Sequence, residues 1–133
     1  MAVMIGGEAG CMDRKVLLIE DEPNIIEAIS FILSRDGWEV KTHSNGHDAM
    51  DAVRARKPDL VILDVMLPGK SGFDILQEIR ADAVLGATPV LMLTARGQLK
   101  DRELAEKSGV SRYMTKPFAN ADVLEAVRSM VGS

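Results

Sequence analysis

Six polar residues of this 133-residue chain lie at or just beyond the ends of apolar runs that are typical of buried strands. They are, in chain order, Glu20, Asp21, Glu22, Asp64, Thr94 and Lys116. Three or four carboxylates gathered in one small site would repel one another unless a divalent cation lay among them. Oxygen ligands favour a hard ion, and one or two carboxylates with water molecules suit Mg²⁺ best. The residue types therefore indicate a magnesium site.

The threonine and the lysine extend this chemistry to a phosphoryl group. An ammonium, a hydroxyl and a magnesium ion can each satisfy one of its peripheral oxygens. The acceptor must then be a nucleophilic carboxylate on a rigid element, and Asp64 is the best placed because it ends the run LVIL. Taken singly, Thr94 is more often a turn hydroxyl and Lys116 a surface lysine, so the argument depends on their convergence. Glu22 is interpreted as a first-turn helix acid favoured by the helix dipole, not as a ligand.

A scaffold that brings strand ends together is predicted by the hydrophobic pattern. Apolar or alternating runs predict strands at 16–19, 38–42, 60–63, 90–93 and 111–115, the second of them at or near an edge. Helical spacing predicts helices over 23–35, 46–56, 73–79, 100–107 and 123–131, the fourth of them weakly held. Strands that alternate with helices through short loops indicate a parallel sheet covered on both faces, a doubly wound α/β fold. In such sheets ligands bind at the carboxyl ends of the strands.

Composition excludes several other classes of protein. Apolar residues make up 47% of the chain and charged residues 27%, which is typical of a globular domain. The net charge of −4 and the scattered basic residues argue against a nucleic-acid surface. No apolar run approaches the roughly 20 residues of a membrane span, and the lone Cys11 suits a reducing, cytoplasmic location. Residues 1–12 are interpreted as a loose leader, and residues 13–131 as a single domain with no output domain in this chain.

Four signatures resemble a known family. VLLIED at 16–21, LVILDVMLPG at 60–69, LMLTA at 91–95 and YMTKPF at 113–118 resemble the response-regulator receiver domain of two-component signalling, in order and at family spacing. The resemblance covers residues 14–131. It implies the flavodoxin-like (βα)5 fold of chemotaxis regulators, with five parallel strands in the order 2-1-3-4-5. It also implies a signalling phosphoacceptor, not an enzyme, that promotes its own phosphorylation and dephosphorylation.

The resemblance also implies metal and acceptor roles, residue by residue. Asp64 is similar to the phosphorylated aspartate, which receives its phosphoryl group from the phosphohistidine of a histidine kinase or a histidine phosphotransfer protein. Asp21 is similar to the direct Mg²⁺ ligand, with Mn²⁺ as an alternative ion, and Glu20 would act through water. The backbone carbonyl of Met66 would complete the protein's coordination. The Glu-Asp pair departs from the commoner Asp-Asp pair of the family.

The remaining roles concern the switch. By resemblance, Thr94 and Lys116 contact the phosphoryl group, Ala95 stays small so that the group can be approached, and the Lys116-Pro117 bond is cis. Tyr113 resembles the aromatic switch residue that turns inward when Thr94 moves. The fourth helix, fifth strand and fifth helix would then form the surface that controls a downstream protein.

Several alternatives stay open at this stage. We expect a stand-alone regulator, and the alternatives are a receiver excised from a larger regulator or hybrid kinase and an interaction-only pseudo-receiver. An aspartyl-phosphate enzyme of the haloacid dehalogenase type is disfavoured, because it needs an Asp where this chain has Met66. We expect a monomer, with a phosphorylation-linked dimer as the alternative, because Arg112 and Ala121-Asp122 do not resemble the charged pairing set of the winged-helix regulators. Direct binding of nucleic acid or membrane is not expected.

Overall fold

The computed structural model describes residues 14–94 and 99–131 of the chain. Five strands alternate with five helices over these residues. The strands are Lys15–Ile19 (β1), Glu39–His43 (β2), Leu60–Asp64 (β3), Val90–Thr94 (β4) and Arg112–Thr115 (β5). The helices are Pro23–Arg35 (α1), Ala49–Arg56 (α2), Gly72–Ala81 (α3), Leu99–Lys107 (α4) and Asn120–Val131 (α5). In the part of the chain that is described, no helix is both long and apolar enough to cross a membrane.

The strands form one parallel sheet in the order β2-β1-β3-β4-β5. This confirms the predicted doubly wound fold, its strand order and the edge position of the second strand. In this order the chain reverses direction across the sheet between β1 and β3, which is where such folds bind ligands. The registers Ile19↔Leu63 and Asp64↔Leu93 bring the carboxyl ends of β1, β3 and β4 to the same edge of the sheet.

Alternate residues of the central strands point to opposite faces and build two cores. On one face Leu17, Val61 and Met92 pack with apolar residues of α2 and α3. On the other face Leu18 and Ile62 pack with residues of α1 and α5. Burying one such Leu or Ile fully stabilises the fold by roughly 1.5–3 kcal/mol. With helices on both sides, the strand ends at the sheet edge are held between two rigid layers.

Helix boundaries differ from prediction where local chemistry competes with periodicity. The second helix begins at Ala49, not at residue 46, because Asn45 Oδ1 accepts hydrogen bonds from the amides of His47 and Asp48 and keeps that stretch in a turn. Trp38 was predicted to lie in a strand, yet it precedes β2 and is buried against the α1 side of the sheet. The first helix begins as predicted, with Pro23 in its first turn. The third begins at Gly72, one residue earlier than predicted, and Ser71 caps it.

Candidate functional site

The acidic part of the site follows β1. Glu20 is fully buried, and its backbone amide donates to the His43 carbonyl, which ties the end of β1 to β2. Its Oε2 accepts hydrogen bonds of 3.1 Å from the amides of Asp21 and Glu22. This carboxylate therefore fixes the loop that presents Asp21, whose own side chain is exposed.

Asp64 is the last residue of β3 and is only 2% exposed. The amide of Met66 donates to Asp64 Oδ1 at 3.4 Å, so the loop after the strand turns back over the carboxylate. Gly72, the first residue of α3, approaches from the other side: an added Cβ would lie 2.2 Å from the Asp64 carbonyl oxygen. The absence of a side chain at Gly72 is what lets α3 start this close to the acceptor.

Burial and charge act together on Asp64. Loss of solvent raises the pKa of Asp64 most, the negative charge of Glu20 raises it further, and Lys116 opposes both, with a resulting pKa of about 6. The carboxylate is thus poorly stabilised by the protein alone. A cation beside it would reverse the effect.

Lys116 reaches the same place from the loop after β5. Its backbone amide donates to the Thr94 carbonyl at 2.6 Å, and the Lys116-Pro117 peptide bond is cis, as predicted. Its Nζ lies 3.1 Å from Glu20 Oε1 and 3.4 Å from Asp64 Oδ1. Burial disfavours the charge of this ammonium, but hydrogen bonding to Glu22 and the charge of Asp64 outweigh burial and raise the pKa of Lys116.

The structure gives the positions of Thr94, Tyr113 and Met66, and their functional roles stay predictions. Thr94 ends β4 and is 3% exposed. Tyr113 lies on β5, packs against the core and has a buried hydroxyl with no hydrogen-bond partner among the described residues. The Met66 side chain is 70% exposed at the edge of the site. Ala95 lies outside the described residues.

One contact of the site was missed by the sequence interpretation. Glu22 is the N-cap residue of α1, not part of its first turn, and its side chain makes no capping hydrogen bond. Instead Glu22 Oε1 accepts a 2.9 Å hydrogen bond from Lys116 Nζ. The two residues are 94 positions apart, so no local spacing could have signalled the pair.

The residues present fit a divalent cation. One carboxylate oxygen from each of Glu20, Asp21 and Asp64 lies within 4.8 Å of the others. Glu20 Oε1 is buried and accepts no well-directed hydrogen bond from the described residues, so it carries charge that a cation could balance. Hard oxygen donors of this kind suit Mg²⁺. His43, in contrast, pairs with Asp48 at 2.6 Å and does not join this cluster.

Comparison with known proteins agrees with the geometry. The family model described as "Response regulator receiver domain" matches residues 16–128. Over 116 residues the chain is 39% identical to the probable transcriptional regulatory protein TcrX of Mycobacterium tuberculosis. Over 120 residues it is 36% identical to the alkaline phosphatase synthesis transcriptional regulatory protein PhoP of Bacillus subtilis. These matches cover 87% and 90% of this chain but 49% of either relative, so the chain spans about half the length of the curated relatives it matches.

Solved structures give the same result. The BeF3-activated N-terminal receiver domain of Klebsiella pneumoniae RstA has a TM-score of 0.83 at 28% identity, over 90% of this chain and 100% of that one. The receiver domain of the sensor histidine kinase PA1611 from Pseudomonas aeruginosa, with magnesium coordinated in its active site cleft, has a TM-score of 0.83 at 29% identity, over 91% and 99%.

Proposed function

The chain belongs to the response-regulator receiver domain family, and on that basis we propose that it is a phosphorylation-dependent switch whose acceptor is Asp64. The phosphoryl donor is the phosphohistidine of a histidine kinase or of a histidine phosphotransfer protein. The observation that carries the proposal is a buried carboxylate, Asp64, with Lys116 Nζ at 3.4 Å and two further acidic residues within metal-binding distance.

The transfer is a displacement at phosphorus. An oxygen of Asp64 forms the new P–O bond while the N–P bond of the phosphohistidine breaks, and the histidine nitrogen keeps the electron pair. Glu20, Asp21 and Asp64 would hold Mg²⁺, with the Met66 carbonyl as a further ligand, and the ion would supply charge neutralisation for the transferred group. Lys116 supplies the protein's positive charge at the acceptor, and the Thr94 hydroxyl donates a hydrogen bond to a phosphoryl oxygen. The scaffold holds the acceptor in place for attack because Asp64 ends a strand buried on both faces.

The output surface consists of α4, β5 and α5. Among the side chains of α4 that the structure describes, Ala105 is the buried one, so this helix is held by little apolar contact. Phosphorylation adds negative charge and strong acceptors next to Thr94 and Lys116, and this change need only bias two arrangements that differ by a few kcal/mol. The surface belongs to the receiver itself, so the proposal is the same for a stand-alone regulator and for a receiver within a longer polypeptide.

Acetyl phosphate with Mg²⁺ tests the acceptor directly. Intact-protein mass spectrometry should show the gain of one phosphoryl group on the wild type and none on Asp64→Asn. The matched control is Asp51→Asn, which removes an exposed acid of α2 and should be labelled like the wild type. A wild type that stays unlabelled with metal present, or an Asp64→Asn protein that is labelled equally well, would refute the proposal.

A further inference from the structure

Lys116 is surrounded by more carboxylates than the proposed transfer needs. Its Nζ lies near Glu20 at 3.1 Å and Asp64 at 3.4 Å, and its shortest contact, 2.9 Å, is to Glu22. Among the described residues, Glu22 accepts a directed hydrogen bond from this ammonium, whereas Glu20 Oε1 and Asp64 Oδ1 lie at ion-pair distance from it. A phosphoryl oxygen on Asp64 therefore competes with Glu22 for the ammonium that this hydrogen bond holds.

The three carboxylates differ in what their release from Lys116 would cost. Glu20 is completely buried and is held by two backbone amides, and Asp64 is the acceptor itself. The Glu22 side chain is 57% exposed, whereas that of Lys116 is 11% exposed. A carboxylate released into water regains its hydration, and an exposed ion pair is worth little in any case. Glu22 is thus the partner that Lys116 can give up most easily.

The side chain of Glu22 serves no other contact that the structure describes. N-cap residues usually bond a backbone amide of the first helical turn through their side chain, and Glu22 does not. Its backbone already serves the helix, because its carbonyl accepts from the amides of Ile25 and Ile26. Glu22 and Lys116 also line the same surface cleft of about 470 Å³, so water can reach the pair.

We propose that Glu22 is a positioning residue that holds the Lys116 ammonium in the unphosphorylated protein and releases it when Asp64 carries a phosphoryl group. The proposal rests on the proposed function, which it deepens. Glu22 competes with the phosphoryl oxygen for one N–H donor, and its negative charge also repels an anionic donor at the mouth of the site. Both effects slow phosphorylation, so loss of the Glu22 charge accelerates it.

The test compares Glu22→Gln with Glu27→Gln, which removes the same charge from an exposed position of the same helix. With acetyl phosphate below saturation and Mg²⁺ in excess, the initial rate for Glu22→Gln should rise about two- to five-fold, the range that the strength of an exposed ion pair allows. The affinity for beryllofluoride, a phosphoryl mimic, should rise by a similar factor. Glu27→Gln should match the wild type in both measurements. Equal values for the two variants would overturn the proposal.

A double-mutant cycle separates positioning from a general effect of charge. In a Lys116→Gln background Glu22 has no ammonium to hold, so the rise in beryllofluoride affinity caused by Glu22→Gln should shrink to the part that charge repulsion produces. If the full rise persists in that background, Glu22 acts only through space on the anion and the positioning role is wrong.

A third measurement needs no phosphorylation at all. In nitrogen-15 spectra of lysine ammonium groups, the Lys116 signal should be protected from exchange in the wild type and in Glu27→Gln, and should lose protection in Glu22→Gln. If the wild type is not phosphorylated on Asp64, the proposed function fails even though this spectrum can still show the contact. If the wild type is phosphorylated but Glu22→Gln changes neither spectrum nor rate, the positioning role alone fails.

Discussion

Asp64 is an acid in a position that the packing reserves for an apolar side chain. It continues the buried run of β3, and its neighbours Leu63 and Val65 are buried as well. Hydrogen bonding from the Met66 amide and the charge of Lys116 compensate only part of the lost hydration, which is why the pKa of Asp64 stays raised, at about 6. The ionised Asp64 carboxylate therefore lowers the stability of the folded protein, and a bound cation or a covalent modification of Asp64 can remove this destabilisation.

Because the ionised Asp64 carboxylate destabilises the folded protein, we expect Asp64→Asn to change its stability. The pKa of Asp64 is raised in the folded protein from 3.8 to about 6, so its ionisation disfavours the folded state above pH 6 and has no effect below about pH 4. In metal-free buffer at about pH 7.5, Asp64→Asn should be more stable than the wild type by on the order of 2 kcal/mol. Urea unfolding checks this, and the difference should shrink as the pH falls from 6 toward 4.

Asp51→Asn serves again as the control, because this exposed acid should show no such gain. Added Mg²⁺ should stabilise the wild type more than Asp64→Asn, because the substitution removes one ligand. An Asp64→Asn protein that is less stable than the wild type in metal-free buffer at neutral pH would contradict the raised pKa.

The residue types of the site were predictable from the sequence, and their contacts were not. A polar residue that ends an apolar run is visible in one dimension, and parallel strands bring such residues to one edge. That reasoning reached Glu20, Asp21, Asp64 and Lys116, which the structure brings together. It assigned Glu22 to the helix alone, because the pairing with Lys116 depends on where the loop after β5 turns.

Among the elements, α3 is connected by the side chain of Arg80 to the loops that precede β4 and β5. Arg80 Nε donates to the Gly109 carbonyl at 2.7 Å, and Nη1 donates to the carbonyls of Gly86 and Thr88 at 3.1 and 2.6 Å. Nη2 donates to Ser111 Oγ at 3.1 Å. Burial lowers the pKa of Arg80 from its usual value. One guanidinium thus joins the end of α3 to the loops before β4 and β5. These loops lie at the amino-terminal ends of the strands, opposite the acidic site at the carboxyl ends.

Replacing Arg80 should lower the free energy of unfolding of the protein. Arg80→Met keeps an apolar side chain of similar length and removes every donor, so several carbonyls lose hydrogen bonds to a charged group. We expect a loss of about 2–4 kcal/mol in the free energy of unfolding. Arg80→Lys should recover only part of it, because an ammonium cannot reproduce the planar fork of donors. Urea denaturation measures both variants.

Arg56→Met is the matched control, since Arg56 is exposed at the end of α2. Its unfolding should resemble that of the wild type. If Arg80→Met unfolds at the same urea concentration as Arg56→Met, the four hydrogen bonds of Arg80 contribute nothing net to stability.

The elements also show which parts of the fold a sequence can specify. Apolar runs of four residues buried on both faces predicted β1, β3 and β4, because no other element hides so many consecutive apolar side chains in so short a span. The start of α2 was misplaced, since Gly46 and His47 carry no periodic signal and the Asn45 side chain holds the turn. The Arg80 contacts were not predictable for a related reason: three of the four join the arginine to backbone carbonyls, which every residue has.

At the scale of the whole molecule, the large exposed apolar side chains come from four separate segments. In the described part of the chain they are Phe31, Met66, Val84 and Leu104. They lie on α1, on the loop after β3, on the loop before β4 and on α4. A stable dimer would need roughly 800 Å² from each partner with an apolar centre. Arg112, which does not resemble the charged pairing set of the dimeric regulators, donates to Ser129 of its own chain at 3.2 Å.

The unphosphorylated chain should therefore be a monomer. Light scattering at tens of micromolar should give a molar mass near 14.5 kDa, and the mass should not change when salt is raised to screen the net charge of −4. The same measurement on the beryllofluoride adduct tests the phosphorylation-linked dimer, and Leu104→Ser should weaken such a dimer because Leu104 is the exposed apolar side chain of α4. A mass near twice the monomer's in the unmodified protein would contradict the prediction. If Leu104→Ser leaves that mass unchanged, the self-association does not depend on the exposed apolar side chain of α4.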